Sequence, residues 1–405
     1  MIGSTRCAVA VISAAIVLCG STACTSDTEH ADGDSRSTEQ TNRGEVVSTV
    51  PVAQMSTDEA TAYLAATARN GVDAYRVVYR TIDTAGAPTT ASGLVVLPRT
   101  DSHRLRVVTY EHGTLSRKSD APSVSGASRP DQARTVMFAA AGYAAVAPDY
   151  LGLGEGPGFH PYTHAPTEVS ASVDLLRAAR TIAAREQRDL EPDILVTGFS
   201  QGGQAATALS KALQAGEVPG FGLAALAPIS GPYDVRNVET PAGLDGRVTP
   251  ASAVVYFAYW LTSMNRIHHL YDSPTEAFQE PYASKIEELF DGNHNELSIA
   301  AALLTTPQQL LTPKFIALSR NPAGPALDAV ADTDGTCDWT PRVPVHLYAA
   351  SGDRSVLYAN SEHCLQALHS DKATLLDLGP LDHGSTALVA LPQILEVFQQ
   401  VAPPT

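Results

Sequence analysis

A serine between two glycines follows an apolar segment near the middle of the chain. Residues 193–203 read DILVTGFSQGG, which places Ser200 in a Gly-x-Ser-x-Gly pattern between a predicted strand and a predicted helix. Glycines on both sides remove side chains that would collide when a strand turns sharply into a helix. Such a turn presents the serine hydroxyl, and unpaired N–H groups at the helix start, including that of Gln201, can stabilise a developing oxyanion. We therefore predict that Ser200 is a nucleophile; the alternative is an ordinary strand-to-helix turn.

A serine nucleophile needs a base, and the base needs an acid that orients it. The stretch 343–353 reads as a buried strand that ends in a turn containing Asp353. The next predicted strand, 373–378, is followed by a loop containing His383. Because the carboxyl ends of parallel strands meet at one sheet edge, we predict Asp353 as the acid and His383 as the base.

Other residues compete for these two roles. Asp353 could be an ordinary turn aspartate, and Asp234, in the loop after the strand next to the nucleophile, is the main alternative acid. His363 and His369 are alternative bases, although both fall in a predicted helix that faces solvent.

Three motifs together resemble a known family. They are YEHGT at 110–114, APDYLGLG at 147–154 and GFSQGG at 198–203. With the order Ser, Asp, His, they resemble the secretory lipase family of α/β-hydrolases, known from fungal lipase A enzymes and bacterial secreted relatives. The resemblance spans about residues 50–400. It implies an α/β-hydrolase fold, in which a mostly parallel sheet is wrapped by helices.

The same resemblance implies a serine carboxylic-ester hydrolase, a lipase or esterase, that acts on a small-molecule or lipid ester through an acyl-enzyme. The oxyanion would be held by the N–H groups of Thr114 and Gln201, and no cofactor is needed. Two other functions stay open. One is a serine peptidase or acyltransferase with the same triad, for which the carboxylates of Glu276, Glu280, Glu287 and Glu288 could bind a substrate ammonium. The other is a non-catalytic binding protein on a hydrolase scaffold.

The N-terminal residues have the pattern of a bacterial export signal. Arg6 precedes an apolar run, 7–20, that is too short to span a membrane, and Ser21 and Ala23 lead to Cys24. This resembles a lipoprotein box, in which the cysteine is acylated and holds the protein at the outer face of the cell membrane. Because Ser21 stands where leucine is usual, ordinary secretion is the alternative.

Cysteine usage agrees with export. After removal of the signal and lipidation of Cys24, only Cys337 and Cys364 remain. An exported chain meets oxidising conditions, so we expect a disulfide between them; two buried thiols are the alternative.

Composition and spacing predict five segments. They are a signal peptide at 1–23, a disordered polar tether at 24–50, a first part of the core at 51–230, an inserted, mainly helical cap at 231–340 and a second part of the core at 341–405. The cap contains an apolar, helix-compatible run with Tyr256, Tyr259 and Trp260, which we predict to contact the substrate.

Charge and residue clusters exclude other functions. The net charge is −16 and no basic run is present, which argues against nucleic-acid binding. His268 and His269 are neighbours, which in a helix point to different sides, so we expect no metal there.

Overall fold

The computed structural model describes residues 42–124 and 130–405. The strands of the main sheet are listed here in chain order: β1 (Val46–Met55), β2 (Val72–Ile82), β3 (Pro88–Pro98), β4 (Arg104–Glu111), β5 (Ala144–Pro148), β6 (Asp189–Phe199), β7 (Gly222–Ile229), β8 (Val345–Ala349) and β9 (Ala373–Asp377). Their order across the sheet is β1-β2-β3-β5-β4-β6-β7-β8-β9. In that order, the pairs β1-β2, β2-β3 and β3-β5 are antiparallel. The remaining pairs, from β5-β4 to β8-β9, are parallel.

Helices cover both faces of this sheet. They are α1 (Thr57–Leu64), α2 (Pro130–Ala140), α3 (Ala165–Arg185), α4 (Gln201–Ala215), α13 (Tyr358–Leu368) and α14 (His383–Val401), with numbers that leave room for the insertion described below. Successive residues of β6 enter opposite cores: Ile194 and Val196 pack with α3 and α4, and Leu195 packs with α2 and α14. The alternation of strands and helices thus produces the predicted α/β-hydrolase fold.

A run of helices lies between β7 and β8. It comprises a π-helical turn (Val235–Glu239), α5 (Thr240–Asp245), α6 (Pro250–His268), α7 (Pro274–Ala277), α8 (Ile286–Leu289), α9 (Glu296–Ala302), α10 (Pro307–Leu310), α11 (Pro313–Arg320) and α12 (Pro325–Ala331). These helices have an apolar cluster of their own, with Phe278, Leu310 and Phe315 fully buried in it. Other side chains of these helices lie over the end of the sheet that carries Ser200.

Regular structure is present in part of the segment that the sequence predicts to be a tether. Part of the predicted tether, 42–50, forms a turn and the start of β1. Main-chain pairing with β2, such as Val50 opposite Arg76, orders a segment that buries few side chains. The Arg43 guanidinium adds an ion pair, with Nε 2.9 Å from Oδ2 of the buried Asp174. The predicted signal peptide, Cys24 and the rest of the tether lie outside the described residues.

The disulfide predicted between Cys337 and Cys364 is present, and both residues are buried. It joins the segment before β8 to α13. Among the helices in the described ranges, none is both long enough and apolar enough to cross a membrane.

Candidate active site

The turn between β6 and α4 holds Ser200 in an unusual backbone conformation, with φ 59° and ψ −123°. Its N–H donates to the carbonyl of Ile229 on β7 over 2.9 Å. A Cβ at Gly198 would lie 2.1 Å from the Gly202 oxygen, and one at Gly202 would lie 2.0 Å from the Glu111 oxygen. Only glycine fits either position, which explains the Gly-x-Ser-x-Gly spacing.

The structure brings Ser200, His383 and Asp353 into one hydrogen-bonded chain. His383 Nε2 lies 2.8 Å from Ser200 Oγ, and His383 Nδ1 lies 2.6 Å from Asp353 Oδ2. The other oxygen of Asp353 accepts from the backbone N–H groups of Ser355 and Val356, at 2.8 and 3.1 Å. Because Asp353 is held from both sides, its carboxylate can fix the tautomer and the orientation of the imidazole.

The competing residues are engaged elsewhere. The Asp234 carboxylate accepts from the backbone N–H of Asn237 over 2.9 Å, and its Oδ2 lies 3.3 Å from His363 Nδ1. His369 caps the C-terminal end of α13. Of the candidates weighed from the sequence, Asp353 and His383 are thus the ones that meet Ser200.

One local expectation for the base is wrong. The sequence predicts His383 in a loop, but it is the first residue of α14, where Asp382 caps the helix by accepting from the Ser385 N–H over 2.9 Å. The apolar pattern of α14 does not reveal its exact start. The helix fixes the backbone of His383, and its ring packs 4.5 Å from the Phe199 ring.

The predicted oxyanion donors flank Ser200. Gln201 is the first residue of α4, so its backbone N–H has no acceptor within the helix. Gly113 lies alongside, since a Cβ there would be 3.5 Å from Ser200 Cβ, and Thr114 follows it. The Thr114 hydroxyl is 3.0 Å from the Tyr162 hydroxyl, which lies on the cavity wall beside Ser200.

Asp149, which belongs to the APDYLGLG motif, supports this turn. Its buried carboxylate accepts from Ser92 Oγ at 2.5 Å and from the Ser123 N–H at 2.9 Å. Its carbonyl oxygen lies 3.2 Å from Nε2 of His112. Asp149 therefore anchors His112, the residue before Gly113. None of these contacts involves Ser200.

A buried polar network behind the nucleophile was not found from the sequence. The Gln201 side-chain nitrogen donates to Glu168 Oε1 at 2.7 Å and contacts His160 Nε2 at 2.9 Å, and His160 Nδ1 lies 3.0 Å from the Leu151 oxygen. Burial lowers the pKa of His160 to about 3, so the ring is neutral and can accept at Nε2. No local pattern marks Glu168 or His160, because both sit far from Ser200 in sequence.

Burial also favours the protonated form of two carboxylates in this region, those of Glu168 and Glu111. It raises the pKa of Glu168 to about 8 and that of Glu111, which accepts from Thr109 and Ser172, to about 7. The hydrogen bonds of each carboxylate lower its pKa, but by less than desolvation raises it. Near neutral pH Glu168 is therefore mostly protonated, and Glu111 is about half protonated.

Ser200 opens into a mostly apolar cavity of about 980 Å³, measured with its opening to solvent. Its walls come from the strand ends and from α5, α6, α11 and α12, including Tyr256, Trp260 and Val330. Tyr259, also predicted to contact substrate, does not line it. Since helical residues turn by about 100° each, Tyr259 points away from Trp260. It stacks on Tyr162 with ring centres 4.3 Å apart.

A second group of chemically capable side chains lies outside this site. His164, His268 and Asp332 bring donor atoms within 4.8 Å of one another and could hold a metal ion. None of the three belongs to the chain of hydrogen bonds through Ser200. The sequence position of His268 beside His269 does not reveal this group, because His164 and Asp332 come from distant segments.

Comparison with known proteins places the fold among hydrolases. No curated protein matches the chain significantly. Among solved structures, a proposed hydrolase from Legionella pneumophila is 27% identical with a TM-score of 0.80, and the alignment covers 88% of this chain and 98% of that one. The rice cell wall degrading esterase LipA from Xanthomonas oryzae is 26% identical with a TM-score of 0.77 and the same coverage.

A more distant structure shares the fold alone. Candida antarctica lipase A is 15% identical with a TM-score of 0.64, over 89% of this chain and 82% of that one. The family model described as the alpha/beta hydrolase family matches residues 124–386, which is more than half of the chain and includes Ser200, Asp353 and His383. The chain therefore belongs to the α/β hydrolase family.

Proposed function

We propose that this α/β hydrolase is an exported serine carboxylic-ester hydrolase, an esterase or lipase. The observation that carries the proposal is the hydrogen-bonded chain from Asp353 through His383 to Ser200, which opens into an apolar cavity. The similarity to the Xanthomonas esterase supports ester hydrolysis as the reaction class. Export is supported by the signal-like N-terminus and agrees with the disulfide.

The reaction follows from the geometry. His383 Nε2 takes the proton from Ser200 Oγ as that oxygen attacks the ester carbonyl carbon, and the Asp353 carboxylate stabilises the imidazolium. The carbonyl oxygen becomes an oxyanion that accepts hydrogen bonds from the backbone N–H groups of Gln201 and Thr114. His383 then protonates the leaving alcohol. Water, activated by the same ring, attacks the acyl-enzyme and releases the acid.

The cavity favours an ester with an apolar acyl group. Apolar residues form most of its wall, so a hydrocarbon chain that enters it loses contact with water at little polar cost. Tyr256 and Trp260 lie on one face of α6 and form part of this wall, which is the contact with substrate that we propose for them.

The peptidase alternative has weaker support. Of the acidic cap residues suggested for a substrate ammonium, Glu276 pairs with Lys314 and Glu287 with Arg266. Glu239 does line the cavity, but its Oε1 accepts from the Leu357 N–H over 2.9 Å. Burial raises its pKa to about 7, so it offers an ammonium group less than a full charge at neutral pH.

The test compares wild type, Ser200→Ala and a cavity variant on p-nitrophenyl esters of increasing acyl length and on aminoacyl amides. Ser200→Ala should lower ester turnover by about 10⁶-fold and abolish labelling by a fluorophosphonate. Amide turnover without ester turnover in wild type would replace this proposal with the peptidase reading.

The cavity variant is Val330→Phe, which fills space in the wall. It should lower kcat/KM for long acyl chains at least several-fold more than for acetate, because only long chains need that space. Leu327→Phe on the same helix is the matched control, since Leu327 is 43% exposed and is not part of the wall. Equal losses for all chain lengths would show that the acyl group binds elsewhere.

A further inference from the structure

Three side chains from distant segments meet where the inserted helices contact the sheet-covering helix α3. His164 precedes α3, His268 ends α6 and Asp332 follows α12. Asp332 Oδ2 lies 2.9 Å from His268 Nε2 and 3.4 Å from His164 Nε2. The His164 side chain is only 6% exposed, that of His268 16% and that of Asp332 32%.

The hydrogen bonds of His164 direct a lone pair into this group. The Thr167 hydroxyl donates its proton to the His164 carbonyl at 3.1 Å, so its oxygen is left as an acceptor. His164 Nδ1, which lies 3.0 Å from that oxygen, therefore carries the ring proton. Nε2 is then the unprotonated atom, and it faces a carboxylate oxygen. Two such acceptors repel each other unless a proton or a metal ion lies between them.

His268 also lacks an ordinary hydrogen bond. Its Nε2 is buried and makes no hydrogen bond of acceptable direction within the described residues, although Asp332 Oδ2 is 2.9 Å away. Two metal-ligating atoms can lie close together without a hydrogen bond when the lone pairs of both are directed at a shared metal position. That position lies among His164 Nε2, His268 Nε2 and Asp332 Oδ2.

We propose that His164, His268 and Asp332 form a binding site for one divalent transition-metal ion of the Zn²⁺ type. Two imidazoles and a carboxylate are donors that Zn²⁺ accepts. Ligand atoms about 2.0 to 2.2 Å from a tetrahedral ion lie roughly 3.3 Å apart. Asp332 Oδ2 is 2.9 and 3.4 Å from the two imidazole nitrogens, and all three donor atoms lie within 4.8 Å of one another. The fourth position is left to water. Thr167 acts as the outer partner that fixes the tautomer of one ligand.

The position of the site indicates what a bound ion does. It connects the ends of α6 and α12, which carry Trp260 and Val330 of the cavity wall, to the segment before α3. The same segment holds His160, which contacts the Gln201 side chain. The ion thus acts as a cross-link that holds the cavity wall against the core. This inference is independent of the proposed reaction.

The test measures metal binding directly on purified, untagged protein after dialysis against a chelator. Calorimetric titration with ZnCl₂ should show one site, and Zn²⁺ should raise the melting temperature because it binds only the folded chain. His268→Gln and Asp332→Asn should each weaken binding by more than about 100-fold, the upper range for loss of an outer partner alone.

His269→Gln is the matched control. His269 is the next residue, is 77% exposed and pairs with Asp272 instead, so its loss should leave binding unchanged. Titration of wild type with Co²⁺ should give the visible absorption of a tetrahedral site at one equivalent, which tests the proposal even if a variant fails to fold. Wild-type binding no tighter than that of His268→Gln, or binding lost only in His269→Gln, would overturn it and leave the group as an ion pair.

Discussion

The two hydrogen bonds of His383 determine what its ring can do. Nδ1 faces Asp353 Oδ2 at 2.6 Å, so this nitrogen carries the proton and Nε2 is free to accept one from Ser200. The Asp353 carboxylate is in turn held by two backbone N–H groups. The tautomer of His383 thus depends on Asp353 and on the two backbone N–H groups that hold its carboxylate.

We expect Asp353→Asn to lower kcat on a soluble ester by about 10⁴-fold, because an amide in this position favours the wrong imidazole tautomer. Asp234→Asn is the control and should change kcat little, since the Asp234 carboxylate pairs with His363. Steady-state kinetics of both variants, with folding checked by circular dichroism, decides between them. A larger loss in Asp234→Asn would transfer the acid role to that residue.

Glu168 makes the free energy of unfolding depend on pH. Its ordinary pKa is 4.5, and burial raises it to about 8 in the folded protein. Between these values Glu168 retains a proton in the folded chain that it has released in the unfolded chain, so its contribution to stability falls as pH rises from about 4.5 to 8. Glu111, with a pKa of about 7, acts in the same direction.

Glu168→Gln should therefore reduce the loss of stability between pH 5 and pH 8, while its amide oxygen can still accept from Gln201. Urea denaturation at several pH values measures this. Glu186→Gln, at a residue on the exposed C-terminal end of α3, serves as the control and should follow wild type. A Glu168→Gln curve parallel to that of wild type would show that Glu168 does not hold a proton in this range.

At the scale of elements, the disulfide holds the strand that delivers the acid. Cys337 precedes β8 and Cys364 lies in α13, so the bridge spans the strand and the turn that contain Asp353. The closed loop has a sequence separation of 27 residues. In the chain-entropy account, closing such a loop stabilises the fold by about 3 to 4 kcal/mol.

Replacing both cysteines with serine should lower the free energy of unfolding by about that amount, and activity should be lost at a lower urea concentration than the global transition. The reason is that a small displacement of Asp353 spoils the orientation of His383. Wild type refolded under reducing conditions is the control. It lacks the bridge but keeps both sulfur atoms, so it shows the effect of losing loop closure without the loss of packing that serine causes. Coincident loss of activity and of secondary structure in both samples would show that the bridge does not support the acid turn locally.

At the scale of the whole molecule, the N-terminal sequence pattern concerns where the protein is located. The described residues form the hydrolase fold, whereas the predicted signal and Cys24 lie outside them. Attachment through lipid on Cys24 would hold the protein at a membrane surface, where lipid esters are concentrated. We propose this location on the sequence pattern alone.

Expression in a bacterial host tests the location. Wild type should partition with the membrane fraction, because acyl chains on Cys24 bury in the bilayer, and Cys24→Ser should be released or remain unprocessed. Recovery of wild type wholly in the medium, with an unmodified Cys24 by mass spectrometry, would favour ordinary secretion.

The fold and the positions of Ser200, Asp353 and His383 could be predicted because their signals are local. Short apolar runs indicate the strands, and glycines on both sides of Ser200 indicate the sharp turn. Parallel strands place their carboxyl ends at one edge of the sheet, which brings the loops with Asp353 and His383 towards Ser200. The start of β1 could not be predicted in this way, since a polar segment is ordered there by pairing with its neighbour.

Only the tertiary structure decided which distant side chains meet. The direction of Tyr259, the contact of Gln201 with Glu168 and the grouping of His164, His268 and Asp332 depend on how helices pack. Packing is set by the sum of many contacts between segments far apart in the chain, and no local pattern records that sum. The sequence by itself therefore determined the elements and the choice of Ser200, Asp353 and His383. The packing of those elements determined the polar network behind Ser200, the cavity wall and the histidine–aspartate group.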